Sequence, residues 1–152
     1  MNVIIAPYDK AKYYEIPEYQ SNLSSGVDLH SADEVIIPAN GFKLVDTNIS
    51  ICMIDTTHEA QVRSRSGLAA KHGIFVLNSP GTLDNDYSGP IKVILCNITN
   101  TDFKISIGDR IAQMVFCAVE RVSRFSVVDD VKPYHEKKNS VRGDGGFGST
   151  GI

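Results

Sequence analysis

The chain has 152 residues, of which 42% are hydrophobic and 22% charged, and its formal net charge is −3. This composition is that of one folded domain with its own core, and it excludes a globally disordered chain. A negative net charge provides no general attraction for DNA or RNA, so we expect no nucleic-acid partner. An anionic ligand would have to be held by local cations or a metal.

Short strand-like segments separated by turn residues dominate the sequence. EVIIPANGFKLVDTNISICM predicts a strand, a Pro-Ala-Asn-Gly turn and a further strand. β-Branched and aromatic residues favour sheet in the later runs EAQVRSRS, GIFVLN, PIKVILCNIT and FKISIGDRIAQMVFCAVERV. One short helix is predicted, with Ser66 as its N-cap and Gly73 as its stop. Many short strands with so little helix indicate an all-β sandwich or jelly roll.

Two segments contain candidate functional residues. RSRSGLAAKHG places a serine at a helix start beside Arg63 and Arg65, which is typical of an oxyanion site, although an ordinary surface helix explains the same residues. GTLDNDYSGPI places Asp84 and Asp86 beside Tyr87 in a turn-rich loop. Carboxylates in such a loop can activate water or hold a cation, although most are solvated turn formers.

The composition changes at about Val131, where the sequence becomes polar and then rich in glycine. We therefore predict a folded domain over 1–135 and a flexible tail over 136–152. Within the tail, GDGGFG satisfies G-x-G-x-x-G, but that motif requires a preceding strand and a following helix. Glycine-rich backbone can still present N–H groups to an anion, with Arg142 adding charge and Phe147 covering a flat ligand. A plain disordered tail explains these residues equally well.

The cysteines and the apolar runs bear on the cellular compartment. Cys52, Cys96 and Cys117 are odd in number and widely spaced, which predicts buried free thiols rather than a disulfide framework or a zinc site. The four histidines lack the spacing of metal ligands and are expected on the surface or in loops. No signal peptide or membrane-spanning run is recognisable. We therefore expect an intracellular protein in a reducing compartment, cytoplasm or nucleus, with no membrane partner.

Five segments, taken in order, resemble the five motifs of trimeric deoxyuridine triphosphatases. They are SSGVDLHSA (24–32), RSGLA (65–69), GTLDNDYSG (81–89), GDRIAQM (108–114) and RGDGGFGSTG (142–151). The resemblance implies a jelly-roll, or distorted β-barrel, homotrimer with active sites shared between subunits and closed by the tail of a neighbouring subunit. The implied reaction is hydrolysis of dUTP to dUMP and diphosphate, with Mg²⁺ on the triphosphate. This reaction keeps uracil out of DNA and supplies dUMP for thymidylate synthesis.

The resemblance also implies roles for individual residues. Asp84 matches the carboxylate that orients and deprotonates the attacking water, and Gln113 matches a side chain that helps to hold the α-phosphate and the water. Tyr87 matches the ring beneath the deoxyribose, where a 2′-hydroxyl would clash. Asn78 and the backbone around it, including Gly81, match the hairpin that recognises uracil, whose edge requires both a donor and an acceptor.

The remaining matches concern the phosphates, the lid and the metal. Phosphate and lid contacts are matched by Arg65, Ser66 and Gly67 in the second motif and by Arg142, Phe147, Gly148, Ser149 and Thr150 in the tail. Asp28 matches the aspartate of the first motif, which either orders the loop on the sugar side or reaches the metal through a water. Mg²⁺ with Arg65 and Arg142 would neutralise most of the triphosphate charge.

Two other functions compete with this interpretation. A dCTP deaminase shares the implied fold, but that family resembles R-S-S-x-x-R in its second motif and has a glutamate on the strand after the third. Here the corresponding segments are RSRSGLAA and PIKVILCN, the second without glutamate. A non-enzymatic trimeric β module is the other alternative, and the retention of Asp84, Tyr87 and Arg142 argues against it.

Overall fold

The fold is taken from a computed structural model, which describes residues 1–136. The chain forms two compact units, one comprising Met1–Glu120 and a second beginning at Arg121. None of the helices within the described residues has both the length and the apolar character needed to span a membrane. The boundary expected between residues 135 and 136 stays a prediction, and Arg142, Phe147, Gly148, Ser149 and Thr150 lie outside the described residues.

The described residues form eleven strands and two helices. The strands are β1 Val3–Pro7, β2 Val27–His30, β3 Val35–Ile37, β4 Gly41–Asp46, β5 Ile49–Met53, β6 His58–Arg63, β7 Ile74–Val76, β8 Gly81–Leu83, β9 Lys92–Asn97, β10 Phe103–Ile105 and β11 Arg110–Ala118. The helices are α1 Ser66–His72 and the five-residue α2 Lys132–Glu136. The predicted all-β class is confirmed, although α2 was not predicted.

The strands pair antiparallel in four sheets. The largest has the order β2-β11-β6-β8, and the next is β4-β9-β7. The pairs β1-β5 and β10-β3 complete the fold. Most neighbours in a sheet are distant in sequence, as the crossing connections of a jelly roll require. One strand, β6, pairs with β11 on one edge and with β8 on the other. The first, third and fourth sequence motifs therefore meet on one sheet, and the second motif follows the end of β6.

The core lies on the inner faces of these sheets. Alternate side chains of β5 and β9 are buried, which is the period of two expected for strands with one face inward. Burial of each large apolar side chain contributes about 1.5–3 kcal/mol to stability. The largest fully buried side chains are Leu29, Ile37, Ile49, Ile74, Ile91, Leu95, Ile105, Ile111 and Met114.

The helix prediction for α1 was right in position and wrong at its first residue. Arg65, not Ser66, is the N-cap, with extended backbone (φ −87°, ψ 124°), and its carbonyl accepts a hydrogen bond from the N–H of Ala69 at 3.1 Å. Ser66 is therefore the first helical residue. The helix ends as predicted at Gly73, whose left-handed φ of 63° suits a residue without a Cβ.

The cysteine prediction was partly wrong. All three thiols are free, as expected, but none is buried. Cys52 is exposed, and Cys96 and Cys117 are half-buried. Cys52 lies between two buried apolar residues, Ile51 and Met53, yet its own side chain is on the opposite, exposed face of β5. An apolar sequence context therefore does not by itself say which face of a strand a residue occupies.

The β4-β9-β7 sheet is apolar on its outer face as well as its inner face. Phe42 pairs across the sheet with Cys96, which in turn pairs with Phe75, and Leu44 pairs with Ile94. Directly paired residues point to the same side, so these side chains form one outward surface. Phe42 is 62% exposed and Leu44 56% exposed. This surface is more apolar than the exterior of a sheet that faces only water.

Candidate active site

Three polar residues lie in register across the outer face of the largest sheet. Gln113 on β11 is directly opposite Asp28 on β2 and opposite Arg63 on β6. Their neighbours in sequence, including Leu29 and Met114, point into the core. The alternation of each strand therefore places the first and fourth motifs side by side on one surface.

The carboxamide of Gln113 is held in one position. Its Nε2 donates a hydrogen bond of 2.9 Å to the carbonyl of Ser64, the residue before Arg65. Its Oε1 lies so close to Gly26 that a Cβ at that position would be 2.9 Å from it. The glycine of the first motif thus makes room for the side chain from the fourth, and one of the two Nε2 protons remains for a ligand.

Asp28 lies between two arginines. Its Oδ1 is 3.1 Å from Nε of Arg65, and its Oδ2 is 3.4 Å from Nη1 of Arg110. Arg65 also donates from Nη1 to the Arg110 carbonyl at 2.9 Å. One carboxylate faces two guanidinium groups, so this cluster has a local net charge of +1 on an acidic chain. That excess charge favours binding of an anion.

The second motif continues into the exposed first turn of α1. Ser66 and Gly67 are both exposed, and a Cβ added to Gly67 would contact nothing within 4 Å. Among the described residues, no side chain caps the helix. The first N–H groups of a helix have no acceptor within it, so those of α1 are available to an external acceptor.

The third motif begins at the end of a short turn that leads from β7, in the β4-β9-β7 sheet, to β8, in the largest sheet. Asn78 is exposed in this turn, and Gly81 is the first residue of β8. A Cβ at Gly81 would lie 3.2 Å from Nδ2 of Asn78. The glycine therefore allows the Asn78 amide to lie close to the start of the strand.

The carboxylate of Asp84 is exposed immediately after β8. The Asp84 carbonyl accepts a hydrogen bond of 3.0 Å from the N–H of Tyr87, which closes a turn. Tyr87 is 44% exposed, and its hydroxyl donates to the Pro90 carbonyl at 3.0 Å. Both ends of this turn are thus fixed while the Asp84 carboxylate faces solvent.

These residues form two groups on one sheet. The Asp28 group comprises Asp28, Arg65, Ser66, Gly67 and Gln113, and the Asp84 group comprises Asn78, Gly81, Asp84 and Tyr87. β11 and β8 flank β6, so their backbones are separated by two strand spacings, about 9–10 Å.

A cavity of about 410 Å³ lies between the two groups. It is lined by Gln61, Arg63, Ser64, Ser79, Pro80 and Gln113. Within residues 1–136, no hydrogen bond or ion pair joins a side chain of one group to a side chain of the other. The described part of one chain therefore presents two separate parts of a site.

The described residues do not form a cage for a divalent cation. No three His, Cys, Asp or Glu side chains within the described range lie close enough together to hold one. Both oxygens of Asp28 face guanidinium groups, and a second cation beside them would be repelled. The donor set of this part of the chain thus does not fit a resident Mg²⁺ ion.

Comparison with known proteins identifies the family. The dUTPase family model matches residues 12–151, which is nearly the whole chain. The chain belongs to the dUTPase family. Deoxyuridine 5'-triphosphate nucleotidohydrolase of Helicobacter pylori strain J99 is 48% identical over 138 residues, covering 90% of this chain and 89% of the relative. The protein of the same name from Rickettsia bellii strain OSU 85-389 is 48% identical over 140 residues, covering 91% and 88%.

Solved dUTPase structures show the same fold at low sequence identity. The dUTPase of Staphylococcus bacteriophage 80alpha with dUpNHpp matches with a TM-score of 0.79 and 19% identity, covering 99% of both chains. A mutant dUTPase from phage phi11 of S. aureus, described with a structural Mg(II) ion, has a TM-score of 0.74 and 16% identity, covering 86% of this chain and 98% of that one. At these identities the dUTPase family fold is what the two structures support.

Three residues of this dUTPase-family site were not singled out from the sequence. Arg110 and Asn85 were named only as letters of the fourth and third motifs, and Ser64 only as a letter of RSRSGLAAKHG. The sequence signal for Arg110 was its position in the same predicted strand as Gln113, where it is the first residue of β11. Ser64 and Asn85 had no comparable signal, because their partners are backbone groups of other segments.

Proposed function

We propose that this protein hydrolyses dUTP to dUMP and diphosphate, with Asp84 as the general base. The observation that carries the proposal is the Asp84 turn, where an exposed carboxylate is mounted on backbone that is fixed at both ends. Asp84 accepts a proton from water as the water oxygen bonds to the α-phosphorus. The bond from that phosphorus to the bridging oxygen breaks, and its electron pair leaves with diphosphate.

The Asp28 group of residues holds the triphosphate. Arg65 and the first N–H groups of α1, including those of Ser66 and Gly67, bind phosphate oxygens. Gln113 uses its second Nε2 proton for the α-phosphate. Asp28 serves by orienting Arg65 through their 3.1 Å ion pair, rather than by ordering the loop on the sugar side or reaching a metal-bound water.

The Asp84 group of residues selects the nucleoside. The Asn78 amide and the backbone around Gly81 recognise the uracil edge, and their close approach leaves no room for the methyl group of thymine. The Tyr87 ring lies beneath the deoxyribose and excludes a 2′-hydroxyl. Its hydrogen bond to the Pro90 carbonyl supports this role, because it fixes the ring orientation.

The complete site is assembled by a homotrimer. Two observations support this assembly, namely the separation of the two groups within one chain and the apolar outer face of β4-β9-β7. The tail closes the site of a neighbouring subunit. In it, Arg142 binds the γ-phosphate, Phe147 and Gly148 cover the uracil, and Ser149 and Thr150 donate to phosphate oxygens.

Mg²⁺ would enter with the nucleotide rather than as a resident ion. There it would neutralise charge on the triphosphate oxygens. The positive cluster around Asp28 contributes further neutralisation from the chain itself.

Diphosphate release tests the proposal. The unmodified protein, Asp84→Asn and the matched control Asp129→Asn are each incubated with dUTP, dTTP, dCTP and UTP, with Mg²⁺ and with chelator. We expect release from dUTP alone, dependent on metal, and a kcat for Asp84→Asn lowered by roughly 10²–10⁴-fold, the usual contribution of a general base. Asp129 is exposed, so the same chemical change there should leave kcat unaltered.

Each other outcome has a definite meaning. Ammonia from dCTP would establish a deaminase instead. No product from any nucleotide would leave a binding module, and near-normal turnover by Asp84→Asn would refute the assignment of the base.

A further inference from the structure

The turn that carries Asp84 is attached to a second turn, Ile54–Thr57, which joins β5 to β6. Nδ2 of Asn85 donates to the carbonyl of Asp55 at 2.6 Å and to the carbonyl of His58 at 3.1 Å. Asn85 is half-buried, whereas Asp84 and Asp86 on either side of it are exposed. One amide thus fixes the loop to the body of the domain directly next to the exposed carboxylate.

The second turn is itself firmly held. Oδ1 of Asp55 accepts hydrogen bonds from the N–H and the hydroxyl of Thr57, both at 3.0 Å. Nδ1 of His58 lies 2.6 Å from the same oxygen and carries the proton, since a carboxylate only accepts. The hydrogen bond from His58, followed by the one from the Thr57 N–H, lowers the pKa of Asp55 to about 2, so this carboxylate is charged at neutral pH. The N–H of Val119 also donates to the Thr57 carbonyl at 2.8 Å.

The attachment completes the support of the Asp84 turn. On its C-terminal side, the turn is closed by the Tyr87 N–H and by the bond from Tyr87 to Pro90. On its N-terminal side, β8 pairs with β6, the last pair being Leu83 with Ala60. The sheet pairing ends before Asp84, so Asn85 is the contact that extends the support past the end of the strand.

We propose that Asn85 is a positioning residue for the general base, holding the Asp84 carboxylate at the attacking water through the Ile54–Thr57 turn. The inference rests on the proposed function, in which Asp84 deprotonates that water. A displacement of about 1 Å at a reacting group costs roughly 10²-fold in rate, so loss of this attachment should lower kcat rather than weaken nucleotide binding.

The experiment is a double-mutant cycle in dUTP hydrolysis. Asn85→Asp keeps the shape of the side chain but replaces the donor by an acceptor facing two carbonyls. We expect kcat to fall about 10–100-fold with KM within about threefold of the unmodified value. In an Asp84→Asn background, Asn85→Asp should lower kcat by less than about twofold, because the group that it positions is already absent. Asn100→Asp is the matched control, since Asn100 is exposed, and it should leave kcat and KM unaltered.

The outcomes separate this inference from the proposed function. If the unmodified protein does not hydrolyse dUTP, the proposed function fails and this inference fails with it. If it does, and Asn85→Asp retains kcat within twofold or slows the Asp84→Asn variant by the same factor, only the positioning role is refuted. Asn85→Ala, which removes the donor without adding charge, carries the same test if Asn85→Asp does not fold.

Discussion

Removal of the Asp28 carboxylate gives the sharpest test of the residues that are proposed to hold the triphosphate. In Asp28→Ala, the guanidinium groups of Arg65 and Arg110 lose the acceptor that lies between them. The Asp28 side chain is only 10% exposed, while those of Arg65 and Arg110 are 27% and 47% exposed. The substitution therefore removes one nearly buried charge and leaves two partly solvated ones.

The loss of stability can be estimated from the two contacts. A hydrogen bond to a charged group contributes about 1.5–3 kcal/mol, and we assign about 2 kcal/mol to the 3.1 Å contact with Arg65. The 3.4 Å contact with half-exposed Arg110 is closer to a surface pair, at about 1 kcal/mol or less. The total of about 3 kcal/mol corresponds to a fall in Tm of about 6–12 °C for a chain of this size.

The assay combines thermal unfolding with steady-state kinetics. Unfolding is measured at one fixed protein concentration, because assembly makes Tm depend on concentration. Without Asp28 the Arg65 guanidinium is no longer held in its position beside α1. We therefore also expect KM for dUTP to rise about tenfold, which corresponds to a loss of about 1.4 kcal/mol of binding free energy. Asp33→Ala is the control, since the Asp33 carboxylate has no hydrogen bond or ion pair within the described residues. A fall in Tm below about 2 °C with unaltered KM would refute the reasoning, because the pairs would then contribute no more than exposed ones.

Three further predictions concern other parts of the chain. The pKa of Asp55 is lowered from 3.8 to about 2, so the stability due to its hydrogen bonds is present above pH 3.8 and is lost as the pH falls towards 2. Asp55→Asn should therefore flatten the dependence of the free energy of unfolding on pH over that window. An unaltered slope would contradict this. Tyr87→Ala should reduce the ratio of kcat/KM for dUTP over UTP by about tenfold or more. Unchanged selectivity would show that the Tyr87 ring does not exclude the 2′-hydroxyl. Truncation after Ser140 should preserve the oligomer, measured by light scattering, and abolish diphosphate release; normal turnover by the truncated protein would show that the tail is not a lid.

Local patterns in the sequence were sufficient for the fold class and for several elements. The β-branched runs predicted sheet correctly, and the position of α1 and its end at Gly73 followed from a short helical segment before a glycine. The predicted single run ending in ISICM is divided in two, because Asn48 has a left-handed φ of 55° and its side-chain amide donates to backbone carbonyls of the N-terminal segment. Nothing in the residues next to Asn48 encodes those acceptors.

The contacts that organise the site are mostly long-range, which is why the sequence did not predict them. Arg110 meets Asp28 across 82 residues because β2 pairs with β11. Asn85 looks like a turn former by composition, and its function as an attachment depends on carbonyls 27 and 30 residues earlier. The exposure of Cys52 depends in the same way on which face of β5 is covered. Periodicity identifies strands, but only their pairing decides which side chains meet.

The position of β6 has a consequence for how selectivity and turnover could change independently. Its two edges pair with β11, which carries Gln113 of the Asp28 group, and with β8, which leads into Asp84, so a shift of β6 would move both groups at once. Under the proposed function, a change of nucleobase preference made through the sheet would therefore also lower the rate. Substitutions in the β7–β8 turn, where Asn78 is exposed, would instead leave the support of Gln113 untouched. Engineering of an altered base preference should begin at that turn, with β6 kept unchanged.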